Sequence, residues 1–162
     1  MKNIILILSS FILLISCNKT NVNSCCTGTA QIAAVDSAVI AVPDIFTPNG
    51  DGRNDILYLR GKNISSANFS ISSTTGKIFE TFDMTIGWDG THKGKPIKEK
   101  SYSFTVDAVS TSGKPLSLKG NICLIRDNCV NGQLINCFFD SQFNGNIFDN
   151  NIPSGESIKA CN

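Results

Sequence analysis

Ten consecutive residues limit what this chain can fold into more than any other stretch. They are Phe46-Thr47-Pro48-Asn49-Gly50-Asp51-Gly52-Arg53-Asn54-Asp55. One proline, two glycines and four Asn or Asp side chains stand there between the apolar runs Val39–Val42 and Ile56–Leu59. Proline cannot donate to a ladder, glycine favours positive φ, and Asn and Asp bond to their own backbone. Neither a helix nor a strand survives that mixture, so the stretch must be a shaped loop. The apolar runs on either side must then be separate elements, with Phe46 directed inward.

The rest of the chain supplies short strands punctuated by turns. Tyr102, Phe104, Val106 and Ala108 alternate with Ser103, Thr105 and Asp107, which predicts a half-buried strand over 101–109. Weaker signals of the same kind occur at 35–42, 56–59, 69–73, 77–82, 116–118 and 121–125. Turn residues separate them at Thr75-Gly76, Trp88-Asp89-Gly90-Thr91, Gly94-Lys95-Pro96 and Ser112-Gly113-Lys114-Pro115. No amphipathic helix competes. Regularly spaced short strands predict an all-β chain folded as a β-sandwich.

The first sixteen residues read as a targeting segment. Lys2 precedes an apolar run from Ile4 to Ile15. That run is shorter than the roughly 20 residues a spanning helix needs, and it fits a signal-peptide core. Leu14-Ile15-Ser16-Cys17 resembles a bacterial lipobox, which implies a lipid on Cys17 and membrane attachment by an anchor rather than a span. The chain has seven cysteines. Setting Cys17 aside leaves Cys25, Cys26, Cys123, Cys129, Cys137 and Cys161, an even set suited to disulfides in an exported protein. Zinc is a poorer explanation, because no Cys-x-x-Cys pair exists and His92 is the only histidine. Neighbouring Cys25 and Cys26 are expected to find distant partners, tying the segment after the anchor to the tail.

The longer motif Val42-Pro43-Asp44-Ile45 followed by Phe46–Asp55 resembles the opening of the gliding-motility-associated C-terminal domain family of Bacteroidetes, also described as the type B sorting domain of type IX secretion. Three later landmarks resemble that family in the same order. They are Gly76-Lys77-Ile78-Phe79-Glu80-Thr81, Trp88-Asp89-Gly90-Thr91 with Gly94-Lys95-Pro96, and Gly120 to Arg126. The resemblance implies an immunoglobulin-like antiparallel sandwich of about seven strands. It also implies a partner in the envelope or in the secretion machinery. The expected organisation is a signal peptide at 1–16, lipidated Cys17 with a polar tether at 17–34, the sandwich at 35–126, and a disulfide-stapled appendage at 127–162. The tail's Phe138, Phe139, Phe143 and Phe148 suit an appendage covering an edge of the sandwich better than a disordered segment. Asp36-Ser37-Ala38 resembles an O-glycosylation acceptor of the same phylum.

Little in the chain points to catalysis. Its formal net charge is +1, which gives no electrostatic case for nucleic acid. No paired carboxylates or nucleophile and base stand in a recognisable setting. The sequence therefore predicts no enzyme and no obligatory cofactor. One candidate ion site remains: Asn49, Asp51, Asn54 and Asp55 offer oxygens that suit calcium. Against an EF-hand, Arg53 stands where that pattern needs an oxygen. The competing reading is that these side chains cap their own turns around Gly50 and Gly52. Trp88, the single tryptophan, is expected in the core. The expected role is a non-catalytic, lipid-anchored interaction module. The alternative is cargo whose domain is itself the type IX export signal.

Overall fold

The longest alternating segment becomes the centre of the larger of two sheets. The computed structural model describes residues 31–126, together with two short strands at Cys129–Val130 and Gln133–Leu134. In chain order the strands are β1 (Gln31–Val35), β2 (Ala38–Val42), β3 (Ile45–Phe46), β4 (Arg60–Lys62), β5 (Ile64–Ser73), β6 (Gly76–Thr81), β7 (Thr91–His92), β8 (Lys95–Pro96), β9 (Lys100–Ser110), β10 (Pro115–Leu124), β11 (Cys129–Val130) and β12 (Gln133–Leu134). One layer is a three-stranded sheet in the order β1-β2-β4, and the other a five-stranded sheet in the order β3-β10-β9-β5-β6. β7 and β8 form a small separate hairpin, closed by Lys93 and Gly94 at φ 53° and 72°. Both residues at positive φ is the signature of a tight type I′ turn, which glycine tolerates without strain.

The expected alternation holds along β9. Tyr102, Phe104, Val106 and Ala108 are buried, while Ser103 and Asp107 are exposed. β5 sets Ala67, Phe69 and Ile71 beside them, and β10 adds Leu116, Ile122 and Leu124. From the opposite layer β2 contributes Ala38, Ile40 and Val42 to the same core. Phe46 of β3 and the residues Leu57, Leu59 and Trp88 outside the named strands complete it. Burying each of the larger side chains contributes roughly 1.5–3 kcal/mol.

Three expectations needed correction. The single strand over 35–42 is a hairpin: Gln31–Val35 pairs with Ala38–Val42, and Asp36 makes the turn at φ 52°. The boundary between tether and sandwich at residue 34 therefore falls inside β1. A short polar Asp tolerates the left-handed region, which lets two small apolar runs fold onto each other. The run 56–59 is not a strand. Only Leu57 makes a ladder contact, an isolated antiparallel bridge with Trp88, while Leu57 and Leu59 point into the core. The larger sheet is not wholly antiparallel, because β3 runs parallel to the end of β10. The layers hold three and five strands, in keeping with the expected sandwich of about seven. Among the described residues there is no helix.

The parallel pair arises because the chain changes layers between β2 and β3. Pro43 interrupts the ladder there, having no N–H to give. The Cys123 amide then donates to the Asp44 carbonyl at 2.7 Å, and the Ile125 amide to the Phe46 carbonyl at 3.1 Å. The loop that opened the sequence reading lies between β3 and β4, so it sits at the end of the sandwich where β10 also finishes. Cys17, Cys25, Cys26, and the side chains of Cys129, Cys137 and Cys161 lie outside the described residues.

Candidate functional site

At that end of the sandwich three sequence motifs far apart in the chain meet. The first is the loop 46–55. The Thr47 amide donates to the Asn54 carbonyl at 2.9 Å and closes its base. Asp55 then organises the interior. One carboxylate oxygen accepts from the Gly50 amide at 2.6 Å, and the other from the Gly52 amide at 2.7 Å. The side chain of Asn49 caps the Asp51 amide at 3.0 Å, and that of Asp51 caps the Arg53 amide at 2.8 Å. Gly50 and Gly52 are at φ 83° and 85°, and Asn54 at 48°. Two of the four oxygen-bearing residues proposed for calcium thus cap turns, and Asp55 binds backbone with both oxygens. Among the described residues no group of three or more His, Cys, Asp or Glu side chains is assembled for a metal. The tip, residues 49–53, is exposed, whereas Thr47 and Asn54 are buried.

The second motif, Trp88-Asp89-Gly90-Thr91, packs beneath the loop. Trp88 is 1% exposed, as expected of a core anchor. Its ring lies 5.1 Å from Phe46, 5.6 Å from Tyr102 and 6.5 Å from Phe79, centroid to centroid. The indole N–H donates to the Thr91 carbonyl at 2.8 Å, so the buried polar edge of the ring is satisfied. Asp89 accepts from the Thr91 amide and hydroxyl at 2.9 and 2.8 Å. Amide and carbonyl bonds of 2.8 Å in both directions join Leu57 to Trp88.

The third element is Arg126, just beyond β10. Its guanidinium donates to the Ile97 carbonyl at 2.7 Å and to the Gly90 carbonyl at 3.0 Å. Only glycine fits at position 90. A Cβ there would lie 2.9 Å from Pro48, 3.0 Å from Leu124 and 3.1 Å from Arg126, on a backbone at φ 76°. Gly90 is therefore the point where all three motifs touch. Tyr102 closes the floor, donating from its hydroxyl to the Lys98 carbonyl at 2.7 Å. Burial raises its phenol pKa above the usual value, and the nearby Arg126 charge partly offsets this. The meeting of Pro48, Gly90 and Arg126 was not anticipated, because 36 residues separate Gly90 from Arg126 and no local pattern marks the contact.

Residues 40–124 match the family model of the CHU_C type IX secretion signal domain, a span of more than half the chain. The chain belongs to this family. No curated protein and no solved structure matches it. Membership links the chain to type IX secretion and so to the cell envelope or surface. Every landmark of the resemblance up to Gly120 lies inside the matched span, and the structure shows why they occur together. In this type IX signal domain the glycines and Asx residues shape the loop, Trp88 supports it, and Gly90 admits the Arg126 side chain.

Two other side chains lie outside the motifs described so far. His92, the single histidine, is half-buried, with Nδ1 at 3.0 Å from the Ile78 carbonyl. It joins the small hairpin to edge strand β6. Arg60, not singled out by sequence, lies over the Tyr58 ring at 5.0 Å, and partial burial lowers its pKa. Alternation along an extended segment was the available signal, since Leu57 and Leu59 inward forces Tyr58 and Arg60 outward.

Proposed function

We propose that this protein is a non-catalytic, lipid-anchored envelope protein whose signal-type sandwich serves as an interaction module. The observation that carries the proposal is the use of polar groups at the motif end. Asp55, Asp89, Asn49, Asp51 and Arg126 all bond to backbone that shapes or joins loops. Their conformations are set before any partner arrives, leaving the rigid, exposed tip at 49–53 as the surface to be read. Pre-organisation of this kind lowers the ordering cost of binding. The anchor rests on Leu14-Ile15-Ser16-Cys17 and on the short apolar run before it. An anchor combined with a type IX domain is what supports placement in the outer membrane.

Replacing Cys17 by Ser should move the protein from the membrane fraction to the soluble fraction, and the wild-type N-terminal peptide should carry a diacylglycerol mass. Membrane association that survives the substitution would refute the anchor. The second reading, favoured by the match to a secretion signal model, is cargo exported by the type IX machinery. Protease shaving of intact cells with and without that machinery separates the two. Surface exposure that requires the machinery supports cargo, whereas exposure independent of it supports a resident module.

A further inference from the structure

Two chain segments lie along the flank of the sandwich where β6 ends the five-stranded sheet. A strap, residues 82–88, leaves β6, places Met84 against Gly61 of β4, and ends at the Leu57–Trp88 bridge. The β7–β8 hairpin then returns to β6, where His92 meets the Ile78 carbonyl. The hairpin thus stands beside the middle of β6, and the strap lies beyond its C-terminal end. Among the described residues no strand pairs with the outer edge of β6.

Apolar exposure gathers on this flank. Phe82 is 73% exposed, Ile86 53% and Ile56 37%. Ile56 belongs with the strap, because Gly87 lies against its side chain and that of Tyr58. The display is fixed by local bonds. Asp83 accepts from the Thr85 amide at 2.8 Å and from its hydroxyl at 2.7 Å, and the Ile86 amide donates to the Asp83 carbonyl at 3.0 Å. A rigid turn that holds a phenyl ring in water gains nothing from it within one copy, whereas rigid aromatic side chains are the usual anchors of interfaces.

Charge divides the flank into two parts. Lys93 and Lys95 stand exposed on the hairpin, and neither forms an ion pair among the described residues. On the strap Asp83 is exposed, and bonds from the Thr85 hydroxyl and then its amide hold its carboxyl below the usual range. Neighbouring Glu80 is already paired with Lys77 at 2.6 Å. Asp89, between strap and hairpin, turns its carboxylate to Thr91. A two-fold axis across such a surface sets the cationic part of each copy against the anionic part of the other, as an isologous contact requires.

We propose that this flank is a self-association surface, on which a second copy of the chain docks with Phe82, Ile86 and Ile56 of both copies at the centre and Lys93 and Lys95 of each facing Asp83 of the other. The three apolar side chains offer on the order of 300 Å² per copy. That is below the roughly 800 Å² per partner of a standard interface. The dimer is therefore weak and forms where the protein is concentrated. The surface is separate from the 49–53 tip and does not depend on the lipid anchor.

Sedimentation equilibrium of the purified protein in density-matched detergent tests this whether or not an acyl chain is present. The mass should rise from monomer toward dimer between about 10 µM and about 1 mM protein. Phe82→Ser should weaken the dimer about tenfold or more, and so should Lys93→Glu together with Lys95→Glu. Adding Asp83→Lys to the two lysine substitutions should recover most of that loss, because the swapped charges again face each other. Trp88 emission that stays that of a buried indole separates lost contact from lost fold, and Ile86→Ser replaces any variant that fails this check. A protein that stays monomeric throughout would overturn the proposal, as would a dimer indifferent to Phe82→Ser and to the lysine reversals. A monomer that instead binds phosphatidylglycerol vesicles through Phe82 would assign the flank to a membrane and overturn it too.

Discussion

Gly90 and Gly94 offer a direct test of the convergence at the motif end. Their backbones are nearly alike, at φ 76° and 72°. Their surroundings differ: a Cβ at Gly94 meets nothing within 4 Å, whereas one at Gly90 meets Pro48, Leu124 and Arg126 at 2.9–3.1 Å. Substituting Ala at either site forces an L-residue into the left-handed region, costing about 1–2 kcal/mol. Gly90→Ala adds overpacking of about 1–3 kcal/mol, because Leu124 is held in the core and the Pro48 ring is rigid. The expected losses are thus about 1–2 kcal/mol for Gly94→Ala and about 2–5 kcal/mol for Gly90→Ala. In a domain of this size 1 kcal/mol corresponds to roughly 4–8 °C in Tm, so the two variants should melt at least about 4 °C apart. Urea unfolding followed by Trp88 emission and by circular dichroism measures both. Equal losses would mean that only backbone strain matters and that the three motifs do not bear on one another through Gly90.

Further outcomes follow from the same geometry. Arg126→Lys should cost about 1–3 kcal/mol, since one ammonium cannot reproduce the fork that holds the Gly90 and Ile97 carbonyls; wild-type stability in urea would contradict that role. Asp55→Ala should lower stability by about 1–3 kcal/mol through loss of two charge-assisted bonds in a partly exposed loop. Added calcium or a chelator should leave wild-type melting unchanged, because both Asp55 oxygens already hold glycine amides; a calcium-dependent rise in Tm would instead support a metal at Asn49, Asp51, Asn54 and Asp55. The raised pKa of Tyr102 sets an alkaline limit. The unfolded chain releases this proton first, so stability should fall as pH rises past the ordinary tyrosine range of about 10. Tyr102→Phe should flatten that decline, and an unchanged alkaline profile would assign it to other groups.

The chain's own chemistry settled its local structure well. The four-residue apolar row in β9 needs only strand geometry to become one face of a sheet, so its burial was legible. Proline, glycine and Asx residues at 48–55 fix backbone shape through bonds spanning two to five residues, so a rigid loop was legible too. The single tryptophan had to be buried, being large and apolar beside a turn. Misreadings came where a short segment depends on its partner. Gln31–Val35 contains Gln and small Ala residues and forms a strand because β2 folds back against it. Ile56–Leu59 has strand composition, but its one ladder partner is Trp88, in a loop, so the ladder stops after a single bridge.

Family membership, too, was visible in the residues, but the reason its landmarks occur together was not. Alternation and turn chemistry are properties of neighbours along the chain, and they say nothing about which strand lies beside which. The parallel pairing of β3 with β10, the change of layers at Pro43, and the meeting of Pro48, Gly90 and Arg126 depend on how two sheets close around a shared core. That closure turns the Phe46–Asp55 stretch from a loop forced by composition into a braced surface. Glycine at position 90 is required by the side chains that converge on it, and only the folded chain brings them there.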